Sequence, residues 1–403
     1  MIFRFAHCEL DTGTYQLLRD GEVVHVEPQV FDLLVLLARN GTDLVSYDRL
    51  VAEIWGGRAV SDATISARIS AARAAVGDSG KAQAVIRTIS RRGVQLVVPV
   101  ETHDAAVPVA EAQAPRVAEP HPVAGRQVIR YATSGDGVQI AYGISGEGPP
   151  LVRVGHWLTH LHLDWQSPIW RPMIERLGRT HTLYRYDQRG TGLSDSSFPG
   201  KGVDEFVDDL RAVVDATGAE RVSIFTASQG SSVALKFAAE YPERVDRMVL
   251  YGGFAQGRYH RNGAEGRDEA KAFLSLVRSG WGKPGSPFMK FFTELFMPNG
   301  TPEQLANLIE LQLASATPAN AMKLRDVIDN FDVSDILDRV RGPLLLVHAR
   351  GDQVHPLSES QLIARSVPGT ELIVLDSDNH VPLPGDTNWE ILMSEAERFL
   401  LSD

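Results

Sequence analysis

The stretch that decides the fold is residues 221–241, RVSIFTASQGSSVALKFAAEY. Its first half is an apolar, β-branched run of strand length, and its end, VALKFAAEY, has a helical pattern. Ser228 lies between the two, so this serine is predicted to occupy a sharp strand-to-helix turn. Such a turn lifts a hydroxyl above the sheet at the positive end of a helix. The stretch therefore predicts Ser228 as a nucleophile.

Strand-like runs recur on both sides of this turn and alternate with helical patterns. They read VIRYAT, VQIAYGIS, PLVRVG, TLYRYD, DRMVLYGG, PLLLVHAR and ELIVLDSD. With RVSIFTAS they predict an eight-stranded, mostly parallel, doubly wound sheet. In such sheets chemistry is carried by the loops at the carboxyl ends of the strands.

Two of those loops carry the partners that a nucleophilic serine needs. Asp352 follows PLLLVHA and His380 follows ELIVLDSD. We expect His380 to accept the proton of Ser228 while Asp352 orients the imidazole. By position, the backbone N–H groups of Trp157 and Gln229 are the predicted oxyanion hole. The alternative is an inherited site that no longer reacts.

Residues 128–402 resemble the α/β-hydrolase fold superfamily. Residues 187–194, DQRGTGLS, look like its D-x-R-G-x-G-x-S loop, and residues 350–356, RGDQVHP, look like its acid loop. The resemblance implies a Ser-His-Asp hydrolase acting on carbonyl esters or lactones. Two departures stand out: Thr226 and Ser231 occupy positions where glycines are often found, and Gly155-His156 replaces the usual His-Gly. Residues 155–165 and 248–258 also look like hydrolase-type domains fused to regulatory modules.

A helical cap is expected at about residues 255–342. Its apolar side chains are candidates to line a pocket for a small, largely apolar ester- or lactone-like ligand. The alternative is that they only hold the helices together. These residues are Trp281, Phe288, Met289, Phe291, Phe292, Phe296 and Met297.

The first hundred residues show a different pattern. A helix is predicted from Pro28 to Gly41, a second after Ser46, and a third from near Ser61. The third would bury Ile65, Ile69, Ala72 and Val76 and project Ser66, Arg68, Ser70 and Arg73. A hairpin follows at residues 86–94 and carries Arg87, Arg91 and Arg92. Short polar side chains flanked by arginines suit a helix in a major groove, and a basic hairpin suits the neighbouring phosphates.

This order resembles the OmpR/PhoB-type winged-helix DNA-binding domain. The matching stretches are VEPQVFDLLVLLARNG, SDATISARISAARAAVGD and VIRTISRRGVQLV. The resemblance implies binding of double-stranded DNA, and a homodimer that reads two half-sites. That family normally follows a receiver domain, whereas here the module comes first, so phosphorelay control is not expected. The alternative is that the basic residues form only a solvated face.

Charge supports a polarised N-terminal module. The net charge is −11, yet residues 58–92 carry seven Lys and Arg against two Asp and Glu. Residues 101–126, rich in Ala and Pro, form a predicted linker because their prolines forbid a continuous helix. The predicted organisation is thus α/β: a winged helix-turn-helix at 1–100, the linker, and an α/β-hydrolase fold at 127–403.

Composition excludes several other classes. No apolar run is long enough to span a membrane, the N-terminus lacks a secretory pattern, and Cys8 is the single cysteine. We therefore expect a cytoplasmic protein with no membrane partner. His160, His162 and Asp164 have no further clustered ligand, so neither a metal nor another cofactor is expected.

The combination of a winged helix with a hydrolase-like domain predicts two alternative functions. The first is a one-component transcriptional regulator whose hydrolase-like domain senses, and in one version also hydrolyses, a small ligand. The second is a serine hydrolase with an accessory winged helix.

Overall fold

The computed structural model describes residues 2–12, 16–24, 26, 28–55, 62–89, 92–103, 126–283 and 286–402. These residues fall into two units, one on each side of residues 104–125. Arg91, a predicted DNA contact, lies outside the described residues, as does most of the predicted linker. In the described ranges, no helix combines the length and apolar character needed to cross a bilayer.

The described residues of the N-terminal unit form two antiparallel sheets and three helices. Strands β4, β3, β2, β1 and β8 form one sheet in that order, and β5, β7 and β6 form the other. The elements are β1 (Ile2–Phe5), β2 (Cys8–Asp11), β3 (Gln16–Arg19), β4 (Glu22–Val24), α1 (Pro28–Arg39), β5 (Val45–Ser46), α2 (Tyr47–Trp55), α3 (Asp62–Ala75), β6 (Ile86–Ile89), β7 (Gly93–Leu96) and β8 (Glu101–His103).

This unit extends beyond the predicted boundary at residue 100. Strand β8 pairs with β1 in antiparallel register, with Thr102 opposite Phe3. The predicted start of the linker at residue 101 is therefore wrong. The sequence concealed this because a three-residue strand has no measurable periodicity and is defined only by its partner.

Helix α3 packs as its pattern predicts, with one exception. Ile65, Ile69 and Ala72 are buried, while Ser66 and Ser70 are exposed. Arg73 is buried as well: Nε donates to the carbonyl of Ile86 at 3.0 Å and Nη2 donates to Thr88 Oγ1 at 2.6 Å. The prediction that Arg73 contacts DNA is thus contradicted, because its guanidinium is buried and binds β6 through Nε and Nη2.

The C-terminal unit is built on one eight-stranded sheet. Its order is β16-β15-β14-β13-β11-β12-β10-β9, antiparallel among β9, β10 and β12 and parallel elsewhere. The strands are β9 (Val128–Thr133), β10 (Gln139–Ser145), β11 (Pro150–Arg153), β12 (Thr182–Tyr186), β13 (Val222–Ala227), β14 (Val245–Tyr251), β15 (Leu344–Ala349) and β16 (Glu371–Leu375). Because parallel strands covered on both faces tend to be apolar along their whole length, β13 and β15 are mostly apolar rather than alternating. Strand β15 is fully buried.

Helices cover this sheet and form the cap. They are α4 (Leu161–Gln166), α5 (Arg171–Gly178), α6 (Val203–Ala216), α7 (Gly230–Glu240), α8 (Gly263–Gly280), α9 (Phe288–Phe296), α10 (Pro302–Ser315), α11 (Pro318–Asp329), α12 (Leu357–Ser366) and α13 (Thr387–Leu400). Helices α8 to α11 lie between β14 and β15, within the range predicted for the cap. Pro302 and Pro318 each stand at the first helical position, behind the capping threonines Thr301 and Thr317.

The role of Arg73 can be tested by stability. Replacing Arg73 with Ala leaves a buried carbonyl and hydroxyl without their donor, so we expect a loss of about 1–3 kcal/mol in the unfolding free energy of this unit. Hydrogen exchange of residues 62–96 in the full chain measures it. Arg87→Ala is the matched control: Arg87 is exposed on β6, and the change should stay within about 0.5 kcal/mol. Equal stability of the two variants would contradict the assignment.

Candidate active site and nucleic-acid interface

Ser228 lies on a strained turn between β13 and α7. Its backbone is left-handed, with φ 55°, and its N–H donates to the carbonyl of Tyr251 at 2.9 Å. A Cβ on Gly230 would lie 2.1 Å from Thr226 Oγ1 and 2.7 Å from the carbonyl oxygen of Gly155. Only glycine fits there. Strain of this kind persists where the surroundings enforce it, which is typical of functional sites.

The turn corrects one sequence interpretation. The residue of this turn that needs to be glycine is Gly230, which is present, and not the residue at position 231. Thr226 is the real departure, and its hydroxyl faces Gly230. The side chain of Ser231 is buried on the inner side of the helix, where its Oγ would be 2.3 Å from a Cβ on Gly253.

Asp352 and His380 are in contact, as the sequence predicts. Oδ2 of Asp352 is 2.6 Å from Nδ1 of His380. Its other oxygen accepts the backbone N–H groups of Val354 and His355, at 2.7 and 3.1 Å. Burial alone would raise the pKa of Asp352, but His380, His348 and the backbone N–H of His355 together lower it. The carboxylate is thus ionised and holds the imidazole by Nδ1, which leaves Nε2 for a reacting proton.

The serine hydroxyl has an unpredicted neighbour. Oγ of Ser228 is 3.4 Å from Nε2 of His355, and no hydrogen bond joins it to His380 among the described residues. His380 nevertheless lines the same cavity as Ser228. The three predicted residues are therefore brought to one site, with the hydroxyl turned toward a second histidine.

The predicted oxyanion residues flank the serine and are linked by one side chain. Nε2 of Gln188 donates to the carbonyl of Trp157 at 2.6 Å, and Oε1 of Gln188 accepts Nε2 of Gln229. The carboxamide of Gln188 thus bridges the loop after β11 to the start of α7. The backbone donors of Trp157 and Gln229 remain a prediction.

The loop that carries Gln188 is anchored by its neighbours. The carboxylate of Asp187 accepts the backbone N–H groups of Leu161 and Leu193, each at 2.9 Å. Arg189 is fully buried and binds Asp209 and Asp136 at 2.6–2.8 Å. Burial raises the pKa of Asp187 to about 6. These contacts make Asp187 and Arg189 parts of the loop's architecture.

The cavity above Ser228 is narrow and mostly apolar. Its free volume for water-sized molecules is about 30 Å³, enough for one or two waters. Gln312 from α10 brings a polar group to it: Nε2 donates to Thr293 Oγ1 at 2.8 Å, while Oε1 is buried and has no hydrogen-bond partner among the described residues. The lining residues are His156, Trp157, Leu158, Trp170, Ala227, Ser228, Phe296, Leu308, Gln312, His380, Val381 and Pro382.

Most of the predicted aromatic lining is cap core instead. Of the seven candidates only Phe296 borders the cavity. Phe292 lies at the centre of the others, with ring centroids 5.7 Å from Trp281 and 5.3 Å from Phe288. Phe291 is half exposed. Phe288, Phe292 and Phe296 lie four residues apart on one side of α9, so their spacing could not tell the ring that borders the cavity from the rings in the cap core.

The described DNA-contact candidates fall into two groups. Ser66, Ser70, Arg87 and Arg92 are exposed. Arg68 is partly buried, and its Nε donates to Gln29 Oε1 at 3.1 Å. Helix α3 and the β6–β7 hairpin thus present a polar and basic surface without Arg73.

A model of the α/β hydrolase fold matches residues 159–386, more than half of the chain. The chain belongs to the α/β hydrolase fold family. A second model, the C-terminal domain of transcriptional regulatory proteins, matches residues 21–96. This α/β hydrolase therefore carries a DNA-binding winged helix of the OmpR/PhoB type.

Two similar proteins are named as hydrolases of different kinds. The chain is 28% identical over 255 residues to a putative carbamate hydrolase RutD of Azorhizobium caulinodans, covering 62% of this chain and 91% of that protein. It is 24% identical over 244 residues to a pimeloyl-[acyl-carrier protein] methyl ester esterase of Nitrosomonas europaea, covering 59% and 91%.

Solved structures share the fold. An esterase from Exiguobacterium antarcticum superposes with a TM-score of 0.58 at 21% identity, covering 68% of this chain and 99% of that one. An enol-lactonase from Burkholderia xenovorans gives 0.54 at 18% identity, covering 68% and 100%.

Two residues of the site, Gln188 and His355, were not predicted from the sequence. Gln188 lies inside the loop DQRGTGLS, and His355 lies inside RGDQVHP. A histidine three residues after the predicted acid was the available signal for His355, but only the folded acid loop places it beside Ser228.

Two buried histidines predict acid sensitivity. Burial, followed by Arg153 for His156 and Arg261 for His355, lowers the pKa of each ring well below its ordinary value of 6.5. Below pH 6.5 these two histidines therefore bind protons in the unfolded chain but stay neutral in the folded chain. The unfolding free energy should fall between pH 6.5 and 5 by up to about 1.4 kcal/mol per pH unit for each ring.

Denaturant titrations at several pH values measure this slope. His156→Phe, which retains a ring beside Trp170, should lessen it, whereas His7→Phe, at an exposed position of the other unit, should not. An unchanged slope in His156→Phe would refute the explanation.

Proposed function

We propose that this protein is a one-component transcriptional regulator whose hydrolase unit binds, and slowly hydrolyses, a small carbonyl ester or lactone. One observation carries the proposal: a single chain combines an exposed, basic winged-helix surface with a Ser228 turn beside an Asp352–His380 pair at 2.6 Å. The two activities lie in separate units, so a ligand signal and a DNA response are both available. We further propose a cytoplasmic homodimer that reads two half-sites.

The cavity supports the proposed ligand class. Its walls are largely apolar, while the unpartnered Oε1 of Gln312 offers one acceptor to a ligand N–H or O–H group. A buried unpaired acceptor is costly, so a ligand that satisfies it gains affinity and orientation. The carbonyl chemistry of the named relatives, a carbamate hydrolase and a methyl ester esterase, favours an ester-like group near Ser228.

The small size of the cavity supports a sensing role. Pockets for small molecules usually enclose about 300–1,000 Å³, an order of magnitude more than the free volume above Ser228. A ligand must therefore displace part of the cap. The cap lines the cavity with Phe296 from α9 and with Leu308 and Gln312 from α10. A ligand that binds the displaced state better shifts the population toward it.

Replacing Ser228 with Ala tests the division between sensing and turnover. Footprinting on the upstream region of the protein's own gene, with and without candidate esters, measures DNA occupancy. We expect Ser228→Ala to retain ligand-dependent occupancy, and to prolong the response because the ligand is no longer consumed. Loss of the ligand response in Ser228→Ala would show instead that the signal is the acyl-enzyme or the product.

The DNA surface is tested by charge reversal on α3. Ser70→Glu places a carboxylate on the exposed face of this helix, so we expect at least a tenfold loss of DNA affinity from phosphate repulsion. Gln16→Glu, exposed on β3, is the control and should retain wild-type affinity. Gel-shift titrations at fixed salt measure both. Equal affinity of the two variants would argue against α3 as the recognition helix.

The second candidate function is a serine hydrolase with an accessory winged helix. The contact of Asp352 with His380 favours it, because such a pair is what turnover requires. On this hypothesis a fluorophosphonate probe labels Ser228, ester turnover is brisk, and no DNA fragment is retained even at low salt. If the protein retains a specific DNA fragment, the regulator hypothesis is favoured over the hydrolase hypothesis.

A further inference from the structure

Two histidines from different loops accompany Ser228: His355 adjoins its hydroxyl, and His380 lines the same cavity. His380 comes from the loop after β16, and His355 comes from the acid loop after β15. Nε2 of His355 is 3.4 Å from Oγ of Ser228, and the two imidazole rings are 5.3 Å apart at 65°. The triad chemistry uses His380 and leaves His355 without a role.

The neighbour of His355 decides which ring nitrogen carries its proton. Nη1 of Arg261 is 3.4 Å from Nδ1 of His355. A guanidinium has only donors, so Nδ1 is the acceptor and a neutral ring carries its proton on Nε2. Nε2 is the atom next to Ser228. His355 therefore donates a hydrogen bond to Oγ and does not compete with His380 for the serine proton.

The ring of His355 is held in this position. It stacks on Phe254, with ring centroids 4.2 Å apart. Its carbonyl accepts Nε2 of His348 at 3.0 Å, and Nδ1 of His348 accepts the hydroxyl of Ser360 at 2.7 Å. With its own N–H bound to Asp352 Oδ1, the residue is fixed by both backbone and ring, at 2% exposure.

Buried arginines keep His355 neutral. Arg261, Arg258 and Arg325 are all buried around it, while Asp329 binds both Arg258 and Arg325 at 2.6–2.9 Å. Burial first, and then these cations, lower the pKa of His355 well below its ordinary value. Two carboxyls of this region are engaged elsewhere: Asp352 binds His380, and Glu359 accepts the backbone N–H groups of Ala255 and Gln256. A neutral Nε2–H donor is what remains beside the nucleophile.

We infer that His355 is a further catalytic residue, a fixed N–H donor to Oγ of Ser228 that stabilises this oxygen as the leaving group in deacylation. The inference rests on the proposed hydrolysis at the same site. In acylation, Oγ passes its proton to Nε2 of His380 and bonds to the carbonyl carbon, and His380 then protonates the departing alcohol. In deacylation, water bonds to the acyl carbon and gives its proton to His380, the bond from carbon to Oγ breaks, and Oγ keeps the electron pair until His380 returns the proton.

His355 gains and loses no proton in these steps. Its hydrogen bond strengthens when Oγ becomes negative, because a bond to a charged acceptor is about twice as strong as a neutral one. The donor is already in place and buried, so no reorganisation accompanies the reaction. The effect is largest where Oγ leaves the acyl carbon, which is the deacylation step.

The kinetic test separates acylation from deacylation with p-nitrophenyl acetate as the probe. His355→Phe keeps a ring against Phe254 and removes the donor. We expect the deacylation rate to fall about 100-fold, the effect of removing one oxyanion donor, so that acetyl-Ser228 accumulates and is seen by intact mass. His355→Gln restores an N–H group and should recover at least tenfold over His355→Phe. His260→Gln, part of the cap surface, is the control with unchanged rates.

A second measurement is independent of turnover. In the full chain labelled with ¹⁵N-histidine, NMR should show His355 as the neutral Nε2–H form from pH 6 to 8, and its Nε2 resonance should move in Ser228→Ala but not in Ser279→Ala. A neutral Nδ1–H form, or a charged ring, would overturn the inference. If the wild type is acetylated and its deacylation rate equals that of His355→Phe, the inference about His355 is wrong while the proposed hydrolysis stands. If the wild type is never acetylated, the proposed hydrolysis and this catalytic role are both wrong.

Discussion

The active site depends on the close approach of three backbone segments beneath Ser228. They are the end of β13, the start of α7 and the loop after β11. Strand β13 must end against α7 with no side chain at Gly230, because Thr226 and the carbonyl of Gly155 already occupy that space. The same contact brings the loop after β11, with Trp157, next to the start of α7, with Gln229. Gln188 then links the two by its carboxamide. A larger residue at Gly230 would disturb the nucleophile and the candidate oxyanion donors together.

The buried groups around Ser228 differ in charge. Asp352 stays ionised because two backbone N–H groups and His380 stabilise its charge. On the opposite side, burial and then the nearby arginines lower the pKa of His355. The two histidines that flank Ser228 are thus placed in different environments, one beside a carboxylate and one beside cations. Such a difference suits a base and a neutral donor acting on one oxygen.

The cap connects this chemistry to ligand binding. Arg325 on α11 lies 5.0 Å from the ring of Trp157, which borders the cavity, and Gln312 on α10 reaches the cavity itself. Arg258 and Arg261 lie in the segment that leads from β14 into α8. A ligand that displaces the cap would therefore change the surroundings of Ser228 as well as the space above it. On the proposed function, this coupling would let the hydrolase unit report whether its cavity is occupied.

The sequence by itself determined the two-part organisation, the eight strands of the sheet and the positions of Ser228, Asp352 and His380. These depend on local patterns: apolar runs of strand length, turn residues at strand ends, and helical periodicity in α1 and α3. The burial of Ile65, Ile69 and Ala72 could be predicted for the same reason, since a helix face is set by spacing alone.

Only the tertiary structure decided what each exposed-looking side chain contacts. Arg73 and Arg87 are equally basic in the sequence, yet the fold turns one against β6 and leaves the other in solvent. The same holds for β8, which is a strand only because β1 lies beside it, and for His355, whose role depends on Arg261 some ninety residues earlier. The physical reason is that hydrogen bonds and burial join residues far apart in the chain, and no local pattern records which distant group fills a given space.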